Sequence, residues 1–245
     1  MNLLLLHPEE VAHDGHARLS GDRARHLLQV LKTAPGREVR IGLLDGPLGV
    51  GTVIAVEPPT VELRCEFSGA PPPRPAVDLL LALPRPKVLG RLWAQLAALG
   101  IGRIMLSNAE RVERAYFDTH VLDPDHYVPR LIEGLQQARD TRLPTVSIHR
   151  RFRVLVEDEI GPANGDCRIV ADPAAGSSVR TVVTEQRASR VLLAIGPEGG
   201  WNPFERALLA SHGFAEVAMG PRTLRTDTAC IALIALVHEE LRASP

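Results

Sequence analysis

At 245 residues, with 45% hydrophobic and 23% charged residues, the chain has apolar material for one large core or two smaller ones, and this excludes a disordered segment. A formal net charge of −1 excludes recognition of a polyanion by global charge, although a neutral protein can still carry a basic face. No apolar run approaches the ~20 residues of a membrane span, so no membrane contact is expected. Met1–Leu6 stops at His7-Pro8 and lacks a basic start and a small-residue cleavage site, so no signal peptide is expected there. Cys65, Cys167 and Cys230 lie far apart with no CxxC pair, which predicts buried thiols in a reducing cytoplasm and no metal site.

In chain order, "SGDRARHLLQVLK" predicts a helix with Ser20 as its N-cap. "REVRIGLLDGPLGVGTVIAVEPPTVELRCEF" then predicts three short strands, separated by Asp45-Gly46-Pro47 and Glu57-Pro58-Pro59. Pro71, Pro72, Pro73 and Pro75 crowd one short stretch and read as a stiff extended linker over 71–76. The boundaries expected are therefore a small β-rich domain over 1–70 and an α/β domain over 77–245. Beyond the linker, "VDLLLALP", "RIMLSN", "TVSIHR", "CRIVAD", "VLLAIG" and "AEVAMG" read as strands. "KVLGRLWAQLAALG", "DPDHYVPRLIEGLQQARDTR", "NPFERALLASHG" and "TDTACIALIALVHEEL" read as helices. Such alternation predicts a parallel sheet covered on both faces.

Two loops carry candidate chemistry. In "LLAIGPEGGWNPFERALLASHGF" an apolar strand runs into Gly196, Pro197, Glu198, Gly199 and Gly200. A well-specified helix follows, with Asn202 at N-cap, Pro203 at N1, Glu205 at N3 and Gly213 at C′. Glycines there let backbone approach a ligand at the carboxyl edge of a sheet. Neither a Walker lysine nor Gly-x-Gly-x-x-Gly is present, which disfavours a P-loop enzyme or a nicotinamide oxidoreductase. "AEVAMGPRTLRTDTACIALIALVHEEL" repeats the pattern through Gly220-Pro221, with Thr226 or Asp227 able to cap the last helix and Leu224 and Arg225 just ahead of it. Placed on neighbouring strands, the two loops would wall one crevice.

"IGPEGGW", followed about 20 residues later by "MGPRTLRTDTA", resembles the RsmE family of small-subunit ribosomal RNA methyltransferases, of the SPOUT class. The likeness extends to "HLLQVLK", Asp45-Gly46, Lys87, Leu99–Ile101, "ERVER" at Glu110–Arg114 and "LQQARDTRLP" at Leu135–Pro144. Gln136-Gln137 stands where members usually carry Glu-Gln, Asp227 where they carry Glu, and "LPRPKVLGRL" differs from their commoner form. The resemblance implies an α/β fold of the SPOUT trefoil-knotted, parallel-sheet kind preceded by a PUA-like β-barrel. It also implies a cytoplasmic homodimer and S-adenosyl-L-methionine as cofactor. The reaction implied is methylation at N3 of a uridine in 16S ribosomal RNA, within the small ribosomal subunit.

On that resemblance, Ile195, Gly196, Glu198, Gly199, Gly200, Met219, Gly220 and Leu224 are the candidate cofactor pocket, with Glu198 toward the methionine amino group or the ribose. Arg225 is the candidate to stabilise the uracil anion, with Arg222 and Asp227 as alternates. Arg111, Arg114, Arg139 and Arg142 are candidates for RNA phosphates, and the run His149, Arg150, Arg151, Arg153 is a further basic stretch. Trp201 is expected beneath its loop rather than on a base. A SPOUT ribose 2′-O-methyltransferase and a non-catalytic rRNA-binding assembly factor are the alternatives.

Overall fold

The structure is a computed structural model, and it describes residues 2–161, 167–220 and 222–243. The chain divides into two compact units, Met1–Arg74 with Ile132–Leu143, and Pro75–Leu131 with Pro144–Pro245. This corrects the expectation of a contiguous second domain over 77–245. The segment Ile132–Leu143 packs with the first unit because its backbone and side chains are bonded there. Thr141 Oγ1 donates to Gly46 O at 2.6 Å, Asp45 N donates to Thr141 O at 2.8 Å, and Arg142 Nε donates to Pro72 O at 2.5 Å.

The first unit is a five-stranded sheet in the order β1-β3-β4-β5-β2, formed by β1 (Leu4–Leu6), β2 (His16–Leu19), β3 (Glu38–Leu43), β4 (Leu48–Glu57) and β5 (Thr60–Ser68). β1 runs parallel to β3, and the other pairings are antiparallel. Alternation along β5 sends Val61, Leu63 and Cys65 inward, where they join Leu4, Leu6, Leu19, Leu27 and Ile41 in one core. The expected helix is shorter than its pattern. α1 covers Gly21–Arg25 and continues as a wider turn over His26–Val30, and Ser20 holds the N-cap position without a side-chain hydrogen bond. The apolar start of the chain, unassigned from sequence, is β1.

The second unit is a six-stranded, all-parallel sheet in the order β11-β9-β10-β6-β7-β8. Its strands are β6 (Val77–Ala82), β7 (Ile101–Ser107), β8 (Thr145–His149), β9 (Cys167–Ala171), β10 (Val191–Ile195) and β11 (Phe214–Val217). The helices are α2 (Pro86–Ala98), the single turn α4 (Phe152–Val154), α5 (Val179–Glu185), α6 (Pro203–Ser211) and α7 (Thr226–Ala243), while α3 (Pro124–Ala138) starts in this unit and its residues from Ile132 onward belong to the first. All five residues of β10 are buried, as an apolar strand between β9 and β6 requires in a two-sided parallel sheet. Trp93 of α2 is fully buried and donates Nε1 to Val121 O at 3.1 Å. Sequence reading passed over α5, which Ser178 caps by accepting from Thr181 N.

The order corrects one expectation. β10 and β11 are not neighbours, because β9 lies between them and pairs with both, Val191 with Cys167 and Phe214 with Arg168.

Candidate functional site

At the carboxyl ends of these three strands lies a cleft of about 690 Å³, open solvent at its mouth included. Such edges of open α/β sheets are where ligands bind. The structure brings Ile195, Gly196, Glu198, Gly200, Met219, Gly220, Leu224 and Arg222 together in its lining. Sequence reading missed the third wall, Asp172-Pro173 after β9, and the floor from Thr226, Ala229 and Leu233 of α7. The signal was present: "CRIVADP" is another apolar strand ending in a proline-bearing loop. Pro221, part of the expected second wall, lies outside the described residues.

Close packing beneath and beside it shapes the Gly196–Asn202 loop. A Cβ on Gly196 would stand 3.1 to 3.2 Å from three atoms of the Trp201 indole, so the glycine admits that ring directly under the chain. Trp201 is buried and stacks on Phe152 at 5.1 Å between centroids, which places it as packing and not as a base platform. Gly199 does not line the cleft, and a Cβ there would meet Arg111 Cδ at 2.8 Å. The guanidinium of Arg111 donates to Gly199 O and, at 3.5 Å, to Gly200 O. At the far end, Asn202 Oδ1 accepts from Glu205 N at 2.8 Å. The carboxylate of Glu205, 4% exposed, accepts in return from Asn202 N at 2.8 Å and from Glu110 N at 2.7 Å. A buried carboxylate is tolerated because two backbone donors satisfy it.

Arg206 of α6 ties the other walls. Its Nη1 pairs with Asp172 Oδ2 at 3.2 Å, and its Nε donates to Glu216 Oε1 of β11 at 2.9 Å. These carboxylates hold the guanidinium above its usual range, Glu216 contributing most. The loop after β9 and the strand β11 are thereby fixed to the helix that follows the β10 loop.

α7 begins at Thr226, where Arg225 O accepts from Ala229 N at 2.8 Å, so Arg225 stands just ahead of the helix. The side chain of Arg225 is exposed and has no hydrogen bond or ion pair to a described residue. Asp227 sits in the first turn, a favourable end of the helix dipole for an acid. It accepts from Thr228 N at 2.9 Å and pairs with Arg91 of α2 at 3.5 Å. Neither Arg225 nor Asp227 lines the cleft. Burial pushes the Cys230 thiol, next to the cleft-lining Ala229, up to about 12. All three cysteines are free and buried.

The candidate RNA arginines separate into two groups. Arg111 is engaged on the loop, and Arg142 donates to Pro72 O and, at 3.0 Å, to Asp45 O. Arg114 and Arg139 are exposed and have no hydrogen bond or ion pair to a described residue. In the further basic run, His149 pairs with Glu159, Arg150 with Asp118 and Arg153 with Glu157.

Residues 71–238 match the model of an RNA methyltransferase domain. Over 247 residues the chain is 32% identical to the ribosomal RNA small subunit methyltransferase E of Treponema pallidum, covering 97% of this chain and 90% of that protein. It is 25% identical over 242 residues to the ribosomal RNA small subunit methyltransferase E 1 of Borreliella burgdorferi, covering 98% and 99% respectively. Among solved structures, a ribosomal RNA small subunit methyltransferase E from Neisseria gonorrhoeae bound to S-adenosyl methionine superposes with a TM-score of 0.78 at 19% identity, covering 98% of this chain and 97% of that one. A methyltransferase from Legionella pneumophila in complex with the same cofactor gives a TM-score of 0.75 at 20% identity, covering 97% of each chain. At such identities the structural likeness speaks for the fold.

Proposed function

The chain belongs to the family of ribosomal RNA small subunit methyltransferases E, and from that premise we propose that it transfers the methyl group of S-adenosylmethionine to N3 of a uridine in 16S rRNA. The observation that carries the reading is the cleft at the ends of β9, β10 and β11, walled by glycine-rich backbone and apolar side chains. Such a lining suits an adenosyl ligand, which takes backbone hydrogen bonds on its polar edge and apolar contact on its faces. Gly200 and Gly220 hold φ of +72° and +113°, which ordinary side chains rarely adopt, and both face the cleft.

When bound, the cofactor supplies an electrophilic methyl group on a sulfonium. The protein's share is positioning and electrostatics, which in-line displacement rewards most. Ile195, Pro197, Met219 and Leu224 exclude water from the apolar faces. Glu198, exposed at the lip, faces the ligand's amino group or ribose hydroxyls. N3 of uracil is a poor nucleophile until its proton passes to solvent water. Arg225, cationic and unpaired among the described residues, stabilises the resulting anion at the carbonyl oxygens, with Arg222 on the cleft wall in support. Asp227 is held by Arg91 and serves to anchor the first turn of α7.

The same reading includes a trefoil knot in the second unit, a PUA-like character for the first, and action as a cytoplasmic homodimer on the small ribosomal subunit. What supports the dimer is the outer face of α7, where Ile231 and Leu236 are each 38% exposed. Among the described residues no helix is long and apolar enough to cross a membrane.

The test is deletion of the gene, digestion of small-subunit rRNA to nucleosides, and mass spectrometry. N3-methyluridine is expected to disappear, to return with the wild type, and not to return with Arg225→Ala. Restoration by Arg225→Ala would remove that residue from the chemistry. Persistence of N3-methyluridine in the deletion strain would overturn the assignment and direct attention to ribose 2′-O-methylation or to binding without transfer.

A further inference from the structure

The segment Gly196–Glu205 borders two concavities. Its first half lines the cofactor cleft, while Asn202, Phe204 and Glu205 line a second depression of about 850 Å³, solvent mouth included, with Asn108, Glu110, Arg114 and Arg153 opposite. We propose that this depression seats a nucleotide of single-stranded rRNA adjacent to the target uridine, Phe204 stacking on its base and Arg114 contacting its phosphate. The site rests on the methyltransferase reading and extends it to how the RNA strand is held.

Phe204 is 57% exposed and is the sole aromatic among the exposed large hydrophobic residues described. It is the second residue of α6, between Pro203 and the capping box of Asn202 and Glu205, so its backbone is rigid. A ring fixed in solvent at such a point is a platform for the π-face of any base. Arg114 lies in the wall, exposed, with no partner among the described residues, whereas Arg111 is bonded to the loop and Arg153 holds both oxygens of Glu157 at 2.9 Å. The acids do not repel a phosphate equally. Glu205 is buried and bonded to two backbone amides, which leaves Glu110 on the rim to accept from the N–H edge of a base.

The chemistry calls for such a subsite. N3 of uridine lies on the Watson–Crick edge, so the target base must be unpaired and turned out of any stack. A strand in that state needs its neighbouring nucleotide anchored close to the reacting one. One short loop separates this depression from the cofactor cleft.

The experiment compares wild type with Phe204→Ala, Phe204→Trp and Arg114→Ala. Binding of a short fluorescein-labelled oligouridylate is followed by anisotropy across salt, and methyl transfer is followed on small subunits purified from a strain lacking the gene. Phe204→Ala is expected to weaken oligonucleotide binding and raise KM for subunits about ten- to a hundredfold, the span of one base–aromatic stack. S-adenosylmethionine affinity should remain as in wild type, which also reports an intact fold. Phe204→Trp should retain binding, with indole emission quenched by the oligonucleotide. Arg114→Ala should weaken binding and reduce the log–log salt slope by about one. Wild-type KM in Phe204→Ala overturns the proposal, as does a loss of RNA affinity that tracks dissociation into monomers, which would assign Phe204 to a protein interface. Should the wild type itself fail to methylate subunits, the methyltransferase reading falls and the subsite with it.

Discussion

Arg111 offers the sharpest contrast between what a basic motif suggests and what the fold does with it. From "ERVER" it is a phosphate contact; in the structure its guanidinium donates to the carbonyls of Gly199 and Gly200. Arg111→Ala therefore releases the cofactor loop at its middle, while Trp201 and Glu205 still hold its end. A hydrogen bond from a charged donor contributes about 1.5–3 kcal/mol when shielded, and an exposed one is screened toward the lower part of that range. A loss of roughly 1–2 kcal/mol in loop preorganisation corresponds to about a five- to thirtyfold rise in the Kd for S-adenosylmethionine. Titration calorimetry with the cofactor reads that directly, and RNA binding across salt supplies the control. The reasoning is refuted if cofactor affinity is unchanged while the RNA salt slope falls by about one, because that is the behaviour of a phosphate contact.

Three further expectations follow from the same packing. Glu205→Ala leaves Asn202 N and Glu110 N without their acceptor, and two charge-assisted bonds predict a loss of about 3–5 kcal/mol in urea unfolding; a loss below about 1 kcal/mol would mean that water replaces the carboxylate. Gly196→Ala drives a methyl group into the Trp201 ring, and overpacking of about 1–3 kcal/mol should appear together with shifted indole fluorescence and weaker cofactor binding; unchanged fluorescence would contradict the close approach. On acidification stability should fall in two windows. Burial holds His238 below the ordinary histidine value, so the unfolded chain binds the extra proton and stability drops as pH falls through about 6.5 toward the folded value. Arg23 holds Glu10 below the ordinary carboxylate range, so its contribution is present above that range and is lost as pH falls through the folded value. His238→Gln should abolish the first window in Tm measurements, and an unchanged profile would exclude His238 as its source.

Elements of the second unit were legible because their signals are local. β10 is a continuous apolar run bounded by glycine and proline, and α6 announces itself through Asn202, Pro203, Glu205 and Gly213, whose φ of +83° ends the helix. Strand order was not legible. Nothing in "VLLAIG" or "AEVAMG" says that β9 intervenes, since pairing depends on which faces the connecting helices cover. The missing order hid Asp172-Pro173 as a wall of the cleft. α5 escaped notice because "VRTVVTE" is rich in β-branched residues, and its helix is decided by Ser178 and by packing of Val179, Val182 and Val183 into the core. Residues 132–143 followed the first unit for a related reason: the bonds from Thr141 and Arg142 reach partners about a hundred positions away.

The arginines show most clearly why function is harder to read than fold. Arg111, Arg114, Arg139 and Arg142 carry the same charge in the sequence, yet two of them satisfy backbone carbonyls and two face solvent without a partner among the described residues. A carbonyl oxygen that a tight loop leaves unbonded is as good an acceptor for a guanidinium as a phosphate is, and glycine-rich or proline-rich segments leave many such oxygens. Asp45, Pro72, Gly199 and Gly200 are of that kind. The "ERVER" motif therefore combines both uses in one short stretch. Arg111 fastens the Gly196–Asn202 loop, and Arg114, three residues on, stands in the depression beside it. Since Glu110 N in the same stretch is bonded to Glu205 at the start of α6, Arg114 and the Gly196–Asn202 loop are carried on one bonded frame. Separating the two requires variants read by different ligands, cofactor for Arg111 and RNA for Arg114, because loss of methyl transfer alone would be the same for both.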